Sequence, residues 1–121
     1  MTKTRTAPER ELFGIIGTYP DVSRLQSEWN AYFTKNDIDA FMNKYPTTPS
    51  TIPERLSEMF HFDRRAYVVG PVLAKHIAPH LDNVDCPEDA INFVVNIGGV
   101  FHGRCIDDPF KIEEVLATIT L

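Results

Sequence analysis

The segment AINFVVNIGGVFHGRCID, residues 90–107, contains two apolar, β-branched runs separated by Gly98 and Gly99. Residues 91–95 and 100–106 have the composition of buried or half-buried strands. Glycine supplies the positive φ that a tight connection between two strands requires. The segment therefore predicts a β-hairpin.

Two polar residues interrupt or close this apolar segment. Asn92 lies inside the first run, and Asp107 ends the second. A polar side chain in a strand must find hydrogen-bond partners or serve a ligand, since burial without a partner is costly. We therefore expect both residues to belong to a functional site. Two structural alternatives stay open: Asn92 forms its hydrogen bonds with the backbone alone, and Asp107 begins a helix cap together with Asp108.

The bulk properties are those of one soluble domain. The chain has 121 residues and a formal net charge of -5, which argues against a nucleic-acid partner. No apolar run approaches the roughly 18 residues of a membrane span, and the start, MTKTRTAPERE, has no apolar secretion signal. We expect a cytoplasmic protein with no membrane partner, with residues 1–11 as a disordered lead and residues 12–121 as the domain.

The residue types of metal, redox and nucleotide sites are sparse. Cys86 and Cys105 form neither a zinc spacing nor a disulfide framework, so we expect two reduced thiols, with Cys105 an inert core thiol. His76 and His80 have a proline between them and are expected to be solvated, with no metal. GIIG at 14–17 lacks the third glycine of a dinucleotide motif.

Before the hairpin, strand and helix patterns alternate along the chain. The predicted strands are residues 12–17, 38–45 and 66–69. The predicted helices run from Ser23 to about Asn36, from Thr51 through Phe60, from Pro71 to Pro79, and from Pro109 to Ile119. Ser23 and Gln26 are predicted to form a capping box, and Asp108 to cap the last helix. This order predicts a single small α/β domain with a mainly parallel sheet and helices on both faces.

Ligands of such sheets bind outside the carboxyl ends of the strands. Three stretches follow predicted strand ends: residues 17–23, 69–75 and 104–108. We expect them to converge on one cleft. Ser23 serves there as a helix cap, as an anion site, or as both, and Lys75, taken alone, is a solvated helical lysine.

Two blocks of sequence resemble the substrate-binding N-terminal domain of the shikimate/quinate dehydrogenase family, over residues 12–110. The family's Y-G-V-I-G strand, S-x-S pair and H-N-x-x-F helix correspond to FGIIG, Ser23 and the segment WNAYF at 29–33. Its G-A-V-N-T-V-V and G-x-N-T-D blocks correspond to AINFVV and GRCID, with the asparagine and aspartate retained at Asn92 and Asp107.

The resemblance implies a small α/β domain with a mixed sheet, and a role in aromatic amino acid biosynthesis. The family oxidises a ring hydroxyl of shikimate or quinate and passes hydride to NADP or NAD on a second, Rossmann domain. The family uses a Lys-Asp pair for catalysis, which implies Asp107 and Lys75 as catalytic residues. Its serines bind the substrate carboxylate, and other polar residues bind the hydroxyls. The implied substrate-binding residues are Ser23, Asn92 and Gly70, the last in the place of a family threonine.

The departures from the family are equally informative. The second serine of S-x-S is Leu25, and the family's lysine position is Ala74, with Lys75 one residue later. One residue on a helix is a rotation of about 100°. Polar ligands have been exchanged for apolar ones, so a heavily hydroxylated ring would leave groups unpaired.

Three functional hypotheses follow. The first is a substrate-binding domain for a small hydroxylated carboxylate, which binds no cofactor itself and has no turnover on its own. The second is the substrate domain of a longer or two-chain dehydrogenase, completed by a nucleotide-binding domain with NADP or NAD; it predicts that Lys75 and Asp107 lie within hydrogen-bond distance. The third is a non-catalytic structural or regulatory subunit that uses the cleft edge as an interface, for example in a homodimer.

Overall fold

The computed structural model of the chain describes residues 10–119. The strands are Glu11–Ile16 (β1), Ala40–Tyr45 (β2), Ala66–Val69 (β3), Asn83–Val84 (β4), Phe93–Ile97 (β5) and Val100–Arg104 (β6). The α-helices are Val22–Lys35 (α1), Ile52–His61 (α2), Ala74–Ile77 (α3) and Ile112–Ala117 (α4). Short 3₁₀ turns occupy Pro49–Thr51, Pro71–Leu73, Ala78–His80 and Glu88–Ala90.

The strands form one mixed sheet in the order β2-β1-β3-β5-β6-β4. β1 is parallel to β2 and β3, β4 is parallel to β6, and β5 is antiparallel to both of its neighbours. One core cluster joins a face of the sheet to α1 and α4, and a second joins the other face to α2 and α3. The predicted α/β class, the mainly parallel sheet and the helices on both faces are confirmed.

The predicted hairpin is formed by β5 and β6. Gly98 and Gly99 make its turn with φ of 60° and 88°, the conformation for which glycine is favoured. Because β6 runs parallel to β1, its carboxyl end lies at the same edge of the sheet as those of β1, β2 and β3. The turn lies at the opposite edge.

Two predicted helix starts are wrong. α1 begins at Val22 behind Asp21, so Ser23 lies in the first turn and does not cap. The Gln26 side chain donates instead to the carbonyl of Met42 on the edge strand β2, at 3.1 Å, which removes it from the predicted capping box.

The last helix begins three residues later than its predicted first residue, at Ile112. The Asp108 carboxylate accepts the backbone N–H of Phe110 at 2.9 Å, so Asp108 closes a turn before the helix. The predicted cap at Asp108 and helical start at Pro109 are therefore wrong.

The two cysteines form a disulfide, with a Cα–Cα distance of 6.0 Å. The expectation of two reduced thiols is wrong, and Cys105 is exposed and not part of the core. The cause is β4, which is too short to leave a periodic pattern in the sequence. β4 pairs Val84 with Gly103 in a parallel register, which two residues later brings Cys86 opposite Cys105.

The amino-terminal boundary also differs from the prediction. Glu11, assigned to the lead by the sequence, is the first residue of β1, and residues 1–9 of that predicted lead lie outside the described residues. Within residues 10–119, no helix is long and apolar enough to cross a membrane.

A buried ion pair joins the start of β1 to the start of β3. The Arg65 guanidinium donates twice to the Glu11 carboxylate, at 3.0 Å and 3.0 Å, and both residues are less than a tenth exposed. The Arg65 backbone N–H also donates to the carbonyl of Leu12. The pair therefore fixes the position of β3 against β1 at the edge opposite the strand ends.

We predict that Glu11→Gln lowers the free energy of unfolding by about 3 kcal/mol, because it leaves a guanidinium buried without its counter-charge. Urea denaturation measures this loss. The matched control is Asp39→Asn, which breaks the exposed pair with Arg10 and should change stability by less than about 1 kcal/mol. Equal losses in the two variants would contradict the structural role of the buried pair.

Tyr67 on β3 is fully buried, and its hydroxyl donates to the Arg55 carbonyl at 2.8 Å. Burial raises the pKa of Tyr67 to about 12, although the hydrogen bond from Arg64 acts in the opposite direction. A folded-state pKa above the unfolded value of 10.0 means that the neutral phenol stabilises the fold below pH 10.

We therefore predict that the free energy of unfolding falls as the pH rises from 10 to about 12. The loss should reach up to about 2 kcal/mol, measured by urea denaturation across this window. In Tyr67→Phe the slope should be reduced, whereas in Tyr32→Phe, which alters a half-buried tyrosine of α1, it should persist. An unchanged slope in Tyr67→Phe would assign the alkaline loss to other groups.

Candidate functional site

The three predicted stretches lie at the carboxyl edge of the sheet, but they do not line one cleft: residues 17–22 line one of the two cavities described below, residues 104–108 line the other, and residues 69–75 line neither. Gly70 packs so closely on the first stretch that a Cβ there would lie 2.4 Å from the Thr18 carbonyl oxygen. The Arg24 guanidinium lies 4.0 Å from the ring centre of Phe110, which joins α1 to the segment after β6. The Trp29 indole N–H donates to the Pro109 carbonyl at 2.9 Å and fixes the same segment.

A cavity of about 560 Å³ opens between the ends of β1 and β2. Its polar lining includes Thr18, Tyr19, Lys44, Thr47 and Thr48. The Lys44 ammonium on β2 donates to the Ser23 hydroxyl at 3.4 Å, beside the first turn of α1. No side chain among residues 10–119 caps that helix.

An ammonium, a hydroxyl and free amide N–H groups together suit a carboxylate. Ser23 therefore lies beside a lysine at the start of α1, and its predicted role in anion binding stays a prediction. Lys44 was missed because an exposed lysine at the end of a strand has no distinguishing pattern in the sequence.

Tyr19 is a second lining residue that the sequence analysis missed. Burial, and then the negative charge of Asp108, raise the pKa of its phenol above the ordinary value. The hydroxyl is therefore protonated at neutral pH and is available as a neutral hydrogen-bond donor. The influence of Asp108 also shows that the segment after β6 lies close to this cavity.

Asn92 is held by the backbone, the structural alternative left open by the sequence. Its side-chain oxygen accepts from the Ile106 N–H at 2.7 Å, and its side-chain nitrogen donates to the Ile106 carbonyl at 2.8 Å. Asn30 makes the same two bonds with Met42, at 2.8 Å and 3.0 Å. Asn92 therefore positions the segment that carries Asp107.

Asp107 is exposed, with 79% of its side chain accessible, and it forms an ion pair with Lys111 at 2.7 Å. The hydrogen bond and charge of Lys111 lower the pKa of Asp107, and Asp107 in turn raises the pKa of Lys111. Both groups are charged at neutral pH. The pair lies on the surface, where such ion pairs are weak.

Lys75 does not reach Asp107. It is exposed on α3, and the ion pairs of the described residues join Asp107 to Lys111 and not to Lys75. Ala74, at the family's lysine position, is buried in the core beneath. The predicted approach of Lys75 to Asp107 is therefore not found.

A second cavity, of about 430 Å³, lies on the other side of Asp107. The disulfide residues Cys86 and Cys105 form part of its wall. No group of three His, Cys, Asp or Glu side chains that could hold a metal ion occurs among residues 10–119. His76 and His80 are exposed, as expected from the sequence.

We predict that Asn92→Ala lowers the free energy of unfolding by about 1 to 3 kcal/mol, because both bonds to Ile106 are lost in a half-buried position. Asn83→Ala is the matched control, since that exposed side chain makes a single 3.4 Å contact with His102. The control should change stability by less than about 0.5 kcal/mol. Similar urea midpoints for the two variants would mean that the Asn92 bonds do not support the segment.

Comparison with known structures identifies proteins of similar fold. Shikimate 5-dehydrogenase from Listeria monocytogenes, solved with shikimate and NAD, matches 96% of this chain at 23% identity and a TM-score of 0.74. Shikimate 5-dehydrogenase from Thermus thermophilus, solved with shikimate, matches 89% at 22% identity and a TM-score of 0.70. The ligand-free 5-ketofructose reductase of a Gluconobacter species matches 92% at 17% identity and a TM-score of 0.74.

This chain covers 41%, 42% and 41% of the lengths of those three proteins, so it corresponds to about two-fifths of each. No protein-family model and no curated protein sequence matches it. At these identities the likeness establishes the fold, which is the fold of one part of these oxidoreductases.

Proposed function

We propose that this chain is a diverged substrate-binding domain of the shikimate/quinate dehydrogenase family. It binds a small hydroxylated carboxylate, such as shikimate or quinate, at the carboxyl edge of its sheet, and it has no turnover on its own. The observation that carries this proposal is the position of Ser23 and Lys44 beside the cavity between β1 and β2 in a fold of this type.

The chemistry of this cavity favours a carboxylate. Leu25, at the place of the family's second serine, is fully buried in the core and contributes no hydroxyl. Lys44 lies 3.4 Å from the remaining serine and supplies a full positive charge. A charge-assisted hydrogen bond to a carboxylate is stronger than the neutral bond that has been lost, so the exchange retains anion binding.

The absence of turnover follows from the proton that alcohol oxidation must remove. Hydride loss from an alcohol carbon requires a base within hydrogen-bond reach of the hydroxyl. Asp107 is paired with Lys111, and the lysine position of the family is occupied by buried Ala74. In this proposal the chain therefore still binds the carboxylate substrate, but it has no base that removes the proton of the substrate hydroxyl.

A second candidate is the substrate domain of a longer or two-chain NAD(P)-dependent dehydrogenase. It is favoured by the coverage, because the chain spans about two-fifths of enzymes such as the Listeria protein, which was solved with NAD. In that case NADP or NAD binds to the remaining domain, and a base is supplied by that domain or by movement of α3.

We predict that shikimate, quinate or dehydroshikimate raises the melting temperature of the full chain. At 100 times Kd, one bound ligand adds about 2.7 kcal/mol of stability. Thermal shift with and without NADP measures the effect, with fructose as the uncharged control. A neutral polyol that stabilises as well as the acids, or no shift with any acid, would refute carboxylate binding.

Variants locate the site and separate the two candidates. Lys44→Ala and Ser23→Ala should each abolish the shift, whereas Lys35→Ala, at the far end of α1, should retain it. Lys75→Ala should also retain the shift if the chain binds without the catalytic pair. Loss of the shift in Lys75→Ala would favour the dehydrogenase candidate.

A further inference from the structure

The disulfide between Cys86 and Cys105 lies at the same edge of the sheet as the candidate site. It forms part of the wall of the cavity of about 430 Å³ beside Asp107. Cys105 is exposed and Cys86 is half-buried. A thiol in solution can therefore reach the bond in the folded protein, and access of this kind is one of the factors that set the rate of exchange.

The backbone on each side of the bridge is held by bonds that do not involve sulfur. The N–H of Asp85 donates to the Gly103 carbonyl at 3.0 Å, and Ile106 is held at both backbone groups by Asn92. The fold therefore does not need the covalent bond to keep β4 beside β6, or to keep the hairpin closed.

The segment between Cys86 and β5 is held differently. The 3₁₀ turn Glu88–Ala90 packs on α3, but its backbone bonds run within the segment, from Ala90 to Pro87 and from Ile91 to Glu88. The disulfide is the covalent link between this segment and the end of β6. Breaking it would loosen the segment selectively.

We propose that Cys86–Cys105 is a site of reversible thiol–disulfide exchange, and that its redox state sets how closely residues 86–90 are held beside the cavity at Asp107. The thiolate of a dithiol reductant attacks the exposed sulfur of Cys105. The S–S bond breaks, a mixed disulfide forms, and Cys86 leaves as a thiolate that takes up a proton. The second thiol of the reductant then releases Cys105, so the protein gains two electrons and two protons and the reductant becomes a disulfide.

The charged groups around the disulfide determine which charge on a thiol reductant is favoured. Four carboxylates line this cavity, and two cations lie beside them: the lining guanidinium of Arg104, which donates to the Thr118 carbonyl at 2.9 Å, and the Lys111 ammonium, which pairs with Asp107 at 2.7 Å. The carboxylates therefore outnumber the cations by four to two. The lining carboxylates are Asp85, Asp107, Asp108 and Glu114. A field of this sign raises the local concentration of cations and lowers that of anions. A cationic or neutral thiol is therefore the preferred partner over an anionic one.

The kinetic test uses the oxidised full chain in native buffer with three monothiols: cationic cysteamine, neutral 2-mercaptoethanol and anionic mercaptoethanesulfonate. Alkylation and mass spectrometry give the rate of reduction, normalised to the rate of each thiol on hydroxyethyl disulfide. We expect the cationic thiol to exceed the anionic one by roughly fivefold at low salt, and the ratio to fall towards one at about 0.5 M salt. Equal normalised rates for the three thiols at low salt would overturn the claim that the local charge favours a cationic reductant.

Charge variants test the assignment to this cavity. Asp85→Asn and Asp107→Asn should each reduce the ratio of the cationic to the anionic rate. Glu54→Gln removes an exposed carboxylate from α2 and should leave the ratio unchanged. If all three variants behave alike, net charge and not the local field determines the rates.

Amide hydrogen exchange tests the coupling to structure. In the reduced protein, the amides of residues 86–90 should exchange at least several-fold faster, while β5 and β6 keep their protection, and Cys105→Ser should reproduce this pattern. Three results would overturn the proposal: identical exchange in both redox states, reduction only at the rate of global unfolding, or two free thiols in protein prepared under oxidising conditions. None of these outcomes depends on carboxylate binding, so this proposal can fail while the proposed function stands.

Discussion

Strand β1 is hydrogen-bonded to a parallel strand on each side and covered by helices on both faces, and the rest of the structure is arranged around it. Phe13 and Ile15 enter the core under α1 and α4, while Ile16 enters the core under α2 and α3. Gly14 leaves room for the ring of Tyr45, which a Cβ would approach to 2.5 Å. Because β2 and β3 pair in parallel with this buried strand, the carboxyl ends of all three lie at the same edge of the sheet.

Asparagine side chains satisfy backbone groups that the regular ladder of the sheet leaves unpaired, at the outer side of the edge strand β2, after the end of β6 and at the edge opposite the strand ends. Asn30 and Asn92 each satisfy both backbone groups of one residue, and Asn96 closes the opposite edge with bonds to the carbonyls of Met59 and Arg64. A carboxamide has one acceptor and a donor group in a fixed geometry, so it can replace a neighbouring strand at one position. The chain leaving β6 is thereby given a defined course without a partner strand.

Sequence reasoning succeeded where a pattern extends over several residues. The hairpin at Gly98 and Gly99, the strand at 66–69 and the helix predicted from Ser23 to about Asn36 all have such patterns, and each was located to within a few residues. It failed where a contact is set by tertiary position: β4 has two residues, and its register alone brings Cys86 to Cys105.

The candidate site was also predictable only in part. The order of the strands predicted the edge of the sheet at which the site lies. The polar interruptions of the hairpin pointed to Asn92 and Asp107, the helix start pointed to Ser23, and the resemblance implied roles for all three. Neither Lys44 nor the Lys111 partner of Asp107 could be derived, because an exposed lysine matches many environments and its partner is chosen by the fold.

The two halves of this edge depend on different parts of the fold, and for this reason the proposed function can keep substrate binding without catalysis. Ser23 lies on α1 and Lys44 on β2. These two elements are held together by the core that α1 forms with β1, and by the two hydrogen bonds between the Asn30 side chain and the backbone of Met42. Asp107 is positioned by the hairpin, and its carboxylate is exposed, so little of the core constrains which lysine it meets. In the proposed function, loss of the Lys-Asp pair therefore leaves the core and the contact between Ser23 and Lys44 intact, whereas loss of carboxylate binding requires a change on α1 or on β2.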